Sequence, residues 1–124
     1  MIYLSLSLLS FAQPPPKYEM ISYVVGFLVK GPKWTAESSE ETKRIQEGHM
    51  GHIRKMADSG KLVVAGPFMD NGELRGMLVF KDLSLEEARK VADEDPAVKA
   101  GRLVVKLHPW FAGKGLNVPP PGKQ

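Results

Sequence analysis

Residues Leu62 to Lys81 have the sequence LVVAGPFMDNGELRGMLVFK, in which two β-branched, apolar segments flank a turn. The first segment, Leu62 to Ala65, is followed by Gly66-Pro67, a pair that ends regular structure. Asp70-Asn71-Gly72 is a hairpin turn signal, and Leu74 to Lys81 is the second apolar segment. The stretch therefore predicts two strands joined as an antiparallel hairpin.

A helix is predicted on each side of this hairpin. Upstream, Ser38 with Glu41 matches a capping box, and the helix that it begins ends at Gly60. Downstream, Ser84 with Glu87 is a second capping box, which begins a helix that runs to about Asp93.

One more strand is predicted before the first helix, and another after the second helix. Ile21 to Lys30 (ISYVVGFLVK) is rich in β-branched and aromatic residues and is stopped by Gly31-Pro32. Leu103 to Leu107 is the last strand, closed by Pro109. The element order is βαββαβ, which predicts an α+β, ferredoxin-like fold with both helices on one face of an antiparallel sheet.

The strands are apolar at successive positions, and this predicts a homodimer. Val24-Val25, Met77 to Phe80 and Leu103 to Val105 place apolar residues on both faces of the sheet. A sheet with one solvated face should alternate apolar and polar residues. The helices cover one face, and a second copy of the chain is the simplest cover for the other.

The two ends of the chain differ from this 18–111 domain. Residues 1–17 are an apolar run (IYLSLSLLSFA, residues 2–12) and a polyproline spacer, with no Lys or Arg before the run. The run is too short to span a bilayer as a helix, and its small residues Ser10 and Ala12 match a signal cleavage site. The protein is then periplasmic or secreted; if this is only an apolar N-terminus, it is cytoplasmic. Residues 112–124, rich in Gly and Pro, are predicted to be a disordered tail.

Composition excludes several kinds of site. The 124 residues hold one domain, and the chain contains no cysteine, hence no disulfide, thiolate nucleophile or cysteine metal site. A net charge of +3 is explained by a solvated surface as well as by an anionic partner. No motif for a cofactor is present, and none is expected.

The histidines of the first helix are the candidate functional residues. On a helical wheel His49 lies in the middle of the apolar stripe of Ile45, Ile53 and Met56, whereas His52 lies at its edge. A titratable ring at the centre of such a stripe is either a hydrogen-bonded core residue or part of a cavity. His49 and His52 could also be two metal ligands, but no motif supplies the third ligand that zinc requires, so no metal is predicted.

Asp95 is the candidate carboxylate. It precedes Pro96, with Gly101 after it, which by itself describes the N-cap of a one-turn helix. Alternatively, the rigid Asp-Pro turn directs the carboxylate at His49, fixes the tautomer of the ring and suits it to shuttle a proton. One aspartate could do both.

These residues together resemble the YCII-related domain family. The resemblance rests on His49, the stretches KLVVAGP (61–67) and SLEEA (84–88), the turn at residues 70–72, the pattern Asp95-Pro96-x-Val98-x-x-Gly101, and Pro109-Trp110. It implies a ferredoxin-like fold that dimerises sheet to sheet as an α+β barrel. It also implies an active-site His and Asp, which match His49 and Asp95, whereas His52 does not match. Members with an assigned reaction resemble cofactor-free enzymes on small ring compounds, such as dehydrochlorinases. The leader and the tail depart from the family pattern.

The leading functional hypothesis is a cofactor-independent lyase or isomerase acting on a small cyclic or aromatic molecule. His49 relays a proton, Asp95 orients and charge-stabilises the ring, and Phe27 and Met77 wall a pocket between sheet and helices. The alternative is a non-catalytic dimeric ligand-binding or structural module, with His49 a buried hydrogen-bonding residue. RNA binding through this element order is disfavoured, because Met77 and Val79 stand where the stacking aromatics belong.

Overall fold

A computed structural model describes residues 19–116, which form a four-stranded sheet and three helices. The strands are β1 (Met20–Lys30), β2 (Leu62–Pro67), β3 (Leu74–Lys81) and β4 (Leu103–Gly113). The helices are α1 (Glu40–Asp58), α2 (Leu85–Asp93) and the one-turn α3 (Pro96–Lys99). The predicted leader, the polyproline spacer and most of the predicted tail lie outside the described residues.

The sheet is antiparallel, with the strand order β2-β3-β1-β4. Strand β1 is central and pairs with β3 on one side and β4 on the other. The α+β class, the antiparallel sheet and the ferredoxin-like order are thus confirmed. Strands β2 and β4 are the two edges of the sheet.

Two strands continue through the prolines that were predicted to stop them. Pro67 pairs with Gly76, and β4 runs past Pro109, which pairs with Val24, as far as Gly113. The predicted strand ends at Ala65 and Leu107 are therefore wrong. Both prolines lie on edge strands, where the nitrogen that cannot donate is able to face solvent instead of a neighbouring strand.

The helix caps follow the predicted chemistry, with one shift of register. The cap of α2 is the predicted pair, in which Glu87 N donates to Ser84 Oγ at 3.0 Å. The cap of α1 is Ser39 with Thr42, not Ser38 with Glu41: Thr42 N donates to Ser39 Oγ, and Ser39 N donates to Thr42 Oγ1. In a capping box the residue three positions after the cap accepts a hydrogen bond in return, and here the threonine hydroxyl does so in place of a glutamate carboxylate. Because Ser38 and Ser39 are adjacent, the sequence allowed a cap at either serine.

The sheet carries an apolar cluster on each face. The larger cluster lies under the helices and includes Val24, Leu78 and Phe80 from the sheet. The second cluster is centred on Tyr23, Val25 and Val79, which alternate with the first set along the same strands. The functional residues described next belong to the helix-covered face.

Candidate functional site

His49 and Asp95 are in direct contact. His49 Nδ1 lies 2.6 Å from Asp95 Oδ2, and the other carboxylate oxygen, Oδ1, accepts from Ala97 N at 2.8 Å. Asp95 is only 2% exposed, while the His49 side chain is 12% exposed. A buried carboxylate requires such partners, and here both of its oxygens have one. Asp95 is therefore at once the N-cap of α3 and in contact with His49, so one aspartate makes both of the contacts that were considered.

Close packing of α1 on α3 brings the two residues together. Gly48 faces Pro96, and a Cβ at position 48 would lie 3.0 Å from Pro96 Cγ and 3.1 Å from Pro96 Cβ. These distances are shorter than ordinary carbon contacts of about 3.5–4.0 Å, so only glycine fits without movement. Pro96 in turn holds the first turn of α3 in helical geometry directly after the cap residue.

The contact determines which nitrogen of the ring is available. A carboxylate accepts hydrogen bonds, so Nδ1 carries the proton that it donates to Asp95. In the neutral ring Nε2 then has a free lone pair, and no residue among 19–116 forms a hydrogen bond with it. The negative charge of Asp95 stabilises the imidazolium that would form if Nε2 took up a proton. The arrangement is chemically suited to general acid–base catalysis.

His49 lies in the wall of a pocket of about 240 Å³ between α1 and the sheet. The floor is formed by small and aliphatic residues of the strands, including Leu28, Ala65 and Gly76. A Cβ at position 76 would lie 2.9 Å from the carbonyl oxygen of Gly66, so this part of the floor must be glycine. Helix α1 closes the pocket on the side opposite this floor, through Met50 and other residues near His49. The pocket is thus partly apolar, with His49 as one of its few polar groups.

The structure contradicts the prediction that Phe27 and Met77 line this pocket. The two residues pair with each other across β1 and β3 and belong to the cluster on the opposite face of the sheet. Side chains alternate between faces along a strand, so the neighbours Leu28 and Leu78 point to the helices instead. The sequence shows that both faces of the sheet are apolar. It does not show which of the two alternating sets of strand residues faces the helices.

His52 is more deeply buried than its predicted place at the edge of the apolar stripe. It is 9% exposed, and its Nε2 donates to the carbonyl oxygen of Val91 at 2.9 Å, which ties α1 to the end of α2. Because α3 packs on α1 and the end of α2 reaches α1 at Val91, the buried side of α1 extends to His52. The rings of His49 and His52 therefore have different partners.

A cluster of Trp34, Arg75 and Arg102 forms another part of the pocket wall and is absent from the sequence-based predictions. The guanidinium carbons of Arg75 and Arg102 lie 4.6 Å and 4.3 Å from the centre of the Trp34 ring. Because the three residues come from distant parts of the chain, no local pattern could have revealed the cluster.

Other chemistry is not concentrated elsewhere in the described part of the chain. His108 packs edge-on against Phe27, with ring centres 5.9 Å apart, on the face away from the helices. Residues 19–116 contain no group of three or more acidic or histidine side chains placed to hold a metal ion. Over the same residues, every helix is too short or too polar to cross a membrane.

Comparison with known proteins supports the same fold. The model of the YCII-related domain matches residues 27–110. A solved structure of 5-chloro-2-hydroxyhydroquinone dehydrochlorinase from Burkholderia phenoliruptrix, in complex with 2,5-dihydroxybenzoquinone, is similar, with a TM-score of 0.53 and 17% sequence identity. The similarity covers 73% of this chain and 93% of that one. Among curated proteins none matches this chain.

Proposed function

The chain belongs to the YCII-related domain family, and on that premise we propose that it is a cofactor-independent enzyme of the lyase or isomerase type. Its substrate is a small cyclic or aromatic compound. The observation that carries the proposal is the 2.6 Å contact between the buried Asp95 and Nδ1 of His49, a residue that lines a pocket. A histidine oriented by a carboxylate is a common general base.

In the proposed reaction Nε2 of His49 removes a proton from the bound ring compound. The electron pair of the broken bond forms a new double bond and either expels a leaving group from the adjacent carbon or shifts along the ring. Asp95 keeps the imidazole oriented and stabilises its positive charge, while Ala97 N holds the carboxylate in place. The imidazolium then returns its proton to the product or to water. Every step uses side chains of this chain and the substrate.

The size of the pocket fits a ligand with one substituted ring. Its volume is about 240 Å³. An apolar cavity of about 150 Å³ is enough to bind benzene, so a ring with a few polar substituents fits here. The dehydrochlorinase of similar fold is bound to such a compound, a dihydroxybenzoquinone. Chlorinated di- and trihydroxybenzenes, ring lactones and cyclic acids are therefore the first candidate substrates.

We also propose that the protein is a homodimer through the face of the sheet opposite the helices. Tyr23, Val25 and Val79 centre an apolar cluster there, and Trp110 beside Tyr23 is 46% exposed. The three cluster residues are buried within the single chain, so the surface left for a partner is that of Trp110 and its neighbours, and exposed apolar surface is typical of an interaction site. A symmetric partner would cover it with the same residues.

The alternative of a non-catalytic ligand-binding module is supported by one specific observation. Asp95 caps α3 through Ala97 N, a structural role that holds whether or not His49 ever moves a proton. The two candidates differ in one measurable respect. A binding module retains ligands of the pocket unchanged, whereas an enzyme converts one of them.

The decisive experiment compares His49→Gln with the matched control His52→Gln on the same helix. Wild type and both variants are incubated with the candidate panel, and chloride release and ultraviolet spectra report turnover. We expect His49→Gln to lose turnover roughly 10²–10⁴-fold, since an amide cannot take up the proton. His52→Gln should keep turnover but lose about 1–3 kcal/mol of stability with the Val91 contact. Turnover by folded His49→Gln at the wild-type rate would contradict the mechanism.

A further inference from the structure

The pocket that His49 lines also contains two arginines that pair with no acidic side chain of residues 19–116. Both arginines contact the ring of Trp34, a residue of the segment that connects β1 to α1. Arg75 is on β3, and Arg102 comes just before β4. Since both guanidinium carbons are less than 5 Å from the same ring centre, they lie within about 9 Å of each other. This separation is shorter than the Debye length of about 10 Å at 0.1 M salt, so salt does not fully screen the two charges from each other. Two permanent positive charges therefore act on the same small volume.

Neither guanidinium uses most of its hydrogen-bonding capacity. Arg75 Nη1 donates to the carbonyl oxygen of Gly72 at 3.3 Å, and Arg102 Nη1 donates to that of Thr35 at 2.8 Å. No ion pair within residues 19–116 joins either arginine to a carboxylate. An arginine has five N–H donors, so each retains donors for a ligand. The backbone contacts and the indole ring hold the two side chains in position.

The carboxylate that contacts His49 does not neutralise them. Asp95 is buried, and both of its oxygens are occupied by His49 and Ala97. Two half-buried like charges repel each other, and an anion between them relieves that repulsion. The planar fork of a guanidinium matches the two oxygens of a carboxylate.

We propose that Arg75 and Arg102, held on Trp34, bind a carboxylate of the ligand and so select ring compounds that carry this group. Both arginines are specificity-determining residues. That the ligand is a substrate rests on the proposed function, whereas the carboxylate site itself does not require turnover. The carboxylate binds at one end of the pocket and the ring extends toward His49.

The test compares benzoate with its neutral isostere benzamide, using isothermal titration calorimetry on the full chain. Wild type should bind benzoate, more weakly as salt rises, and bind benzamide at least tenfold more weakly. Arg102→Gln and Arg75→Gln should each lower benzoate affinity at least tenfold and leave benzamide unchanged. The matched control is Arg89→Gln, which removes the same charge from a residue that contacts Val105 and Asp93, outside the pocket. It should bind benzoate like wild type.

The proposal is overturned if wild type does not distinguish the two ligands, or fails to bind benzoate at roughly 10 mM, where a Kd of about 1 mM would be detected. It is also overturned if Arg102→Gln and Arg89→Gln bind benzoate alike. If Arg102→Gln does not fold, Arg102→Lys replaces it in the test. Lysine keeps the positive charge but lacks the planar fork of the guanidinium, so this variant should retain part of the affinity for benzoate. Benzoate binding that persists in His49→Gln, with no turnover by wild type, would end the enzyme proposal and leave the carboxylate site standing.

Discussion

Gly48→Ala tests how the packing of α1 on α3 brings His49 to Asp95. The added Cβ would lie 3.0 Å from Pro96 Cγ, about 0.5 Å or more short of ordinary contact. The ring of Pro96 cannot rotate away, so the two helices must separate by a comparable distance. The 2.6 Å contact between His49 and Asp95 lies at this junction and should lengthen with it.

Two opposing terms set the magnitude. Alanine is favoured over glycine inside a helix by about 1 kcal/mol. Overpacking of a close contact costs about 1–3 kcal/mol. We therefore expect Gly48→Ala to lie between no net change and a loss of about 2 kcal/mol, because the second term is equal to or larger than the first.

Gly51→Ala, one turn further along α1, separates the two terms. Its Cβ would meet nothing nearer than Arg54 Nη2 at 3.9 Å, so only the helix-propensity gain of about 1 kcal/mol is expected. Urea unfolding followed by circular dichroism measures both variants, and similar slopes against urea make the comparison valid. The difference between them is the overpacking term alone. Equal stabilisation by both alanines would refute the argument that the close approach at Gly48 positions the pair.

Two further predictions concern Asp95 and the dimer. Asp95→Asn should keep α3 capped, because an asparagine side chain also accepts from Ala97 N. It should lose turnover roughly 10²–10⁴-fold, because the amide favours the wrong tautomer of His49. Turnover by this folded variant at the wild-type rate would contradict a catalytic role for the pair of His49 and Asp95. Sedimentation at micromolar concentration should give the mass of a dimer. Trp110→Lys, at an exposed position beside Tyr23, should shift it to a monomer, while Glu86→Lys, at an exposed position of α2, should not. A monomer mass for wild type would contradict sheet-to-sheet association.

Local chemistry accounts for the features that the sequence predicts correctly. Turn residues such as Asn71 and Gly60, both at positive φ, act within a few residues of themselves. The serine–glutamate cap at Ser84 does the same. Element order and sheet class follow from such signals, and the apolar strands add that both faces of the sheet carry apolar residues.

The errors arise where a residue's role depends on a distant neighbour. Pro109 continues a strand because β4 is an edge, which only the strand order decides. Phe27 points away from the pocket because the helices cover the other face. His52 is buried where the end of α2 reaches α1 and supplies the Val91 carbonyl.

The sequence by itself determined the elements, the α+β class and the residue types available for proton transfer, because these depend on spacing along the chain. His49 and Asp95 could be singled out in this way, helped by the family resemblance. Only the tertiary structure decided that the two side chains meet at 2.6 Å, and that Arg75 and Arg102 both contact Trp34 in the same pocket. Such contacts join residues far apart in sequence, and their geometry depends on how helices pack on a sheet. No local pattern encodes that packing.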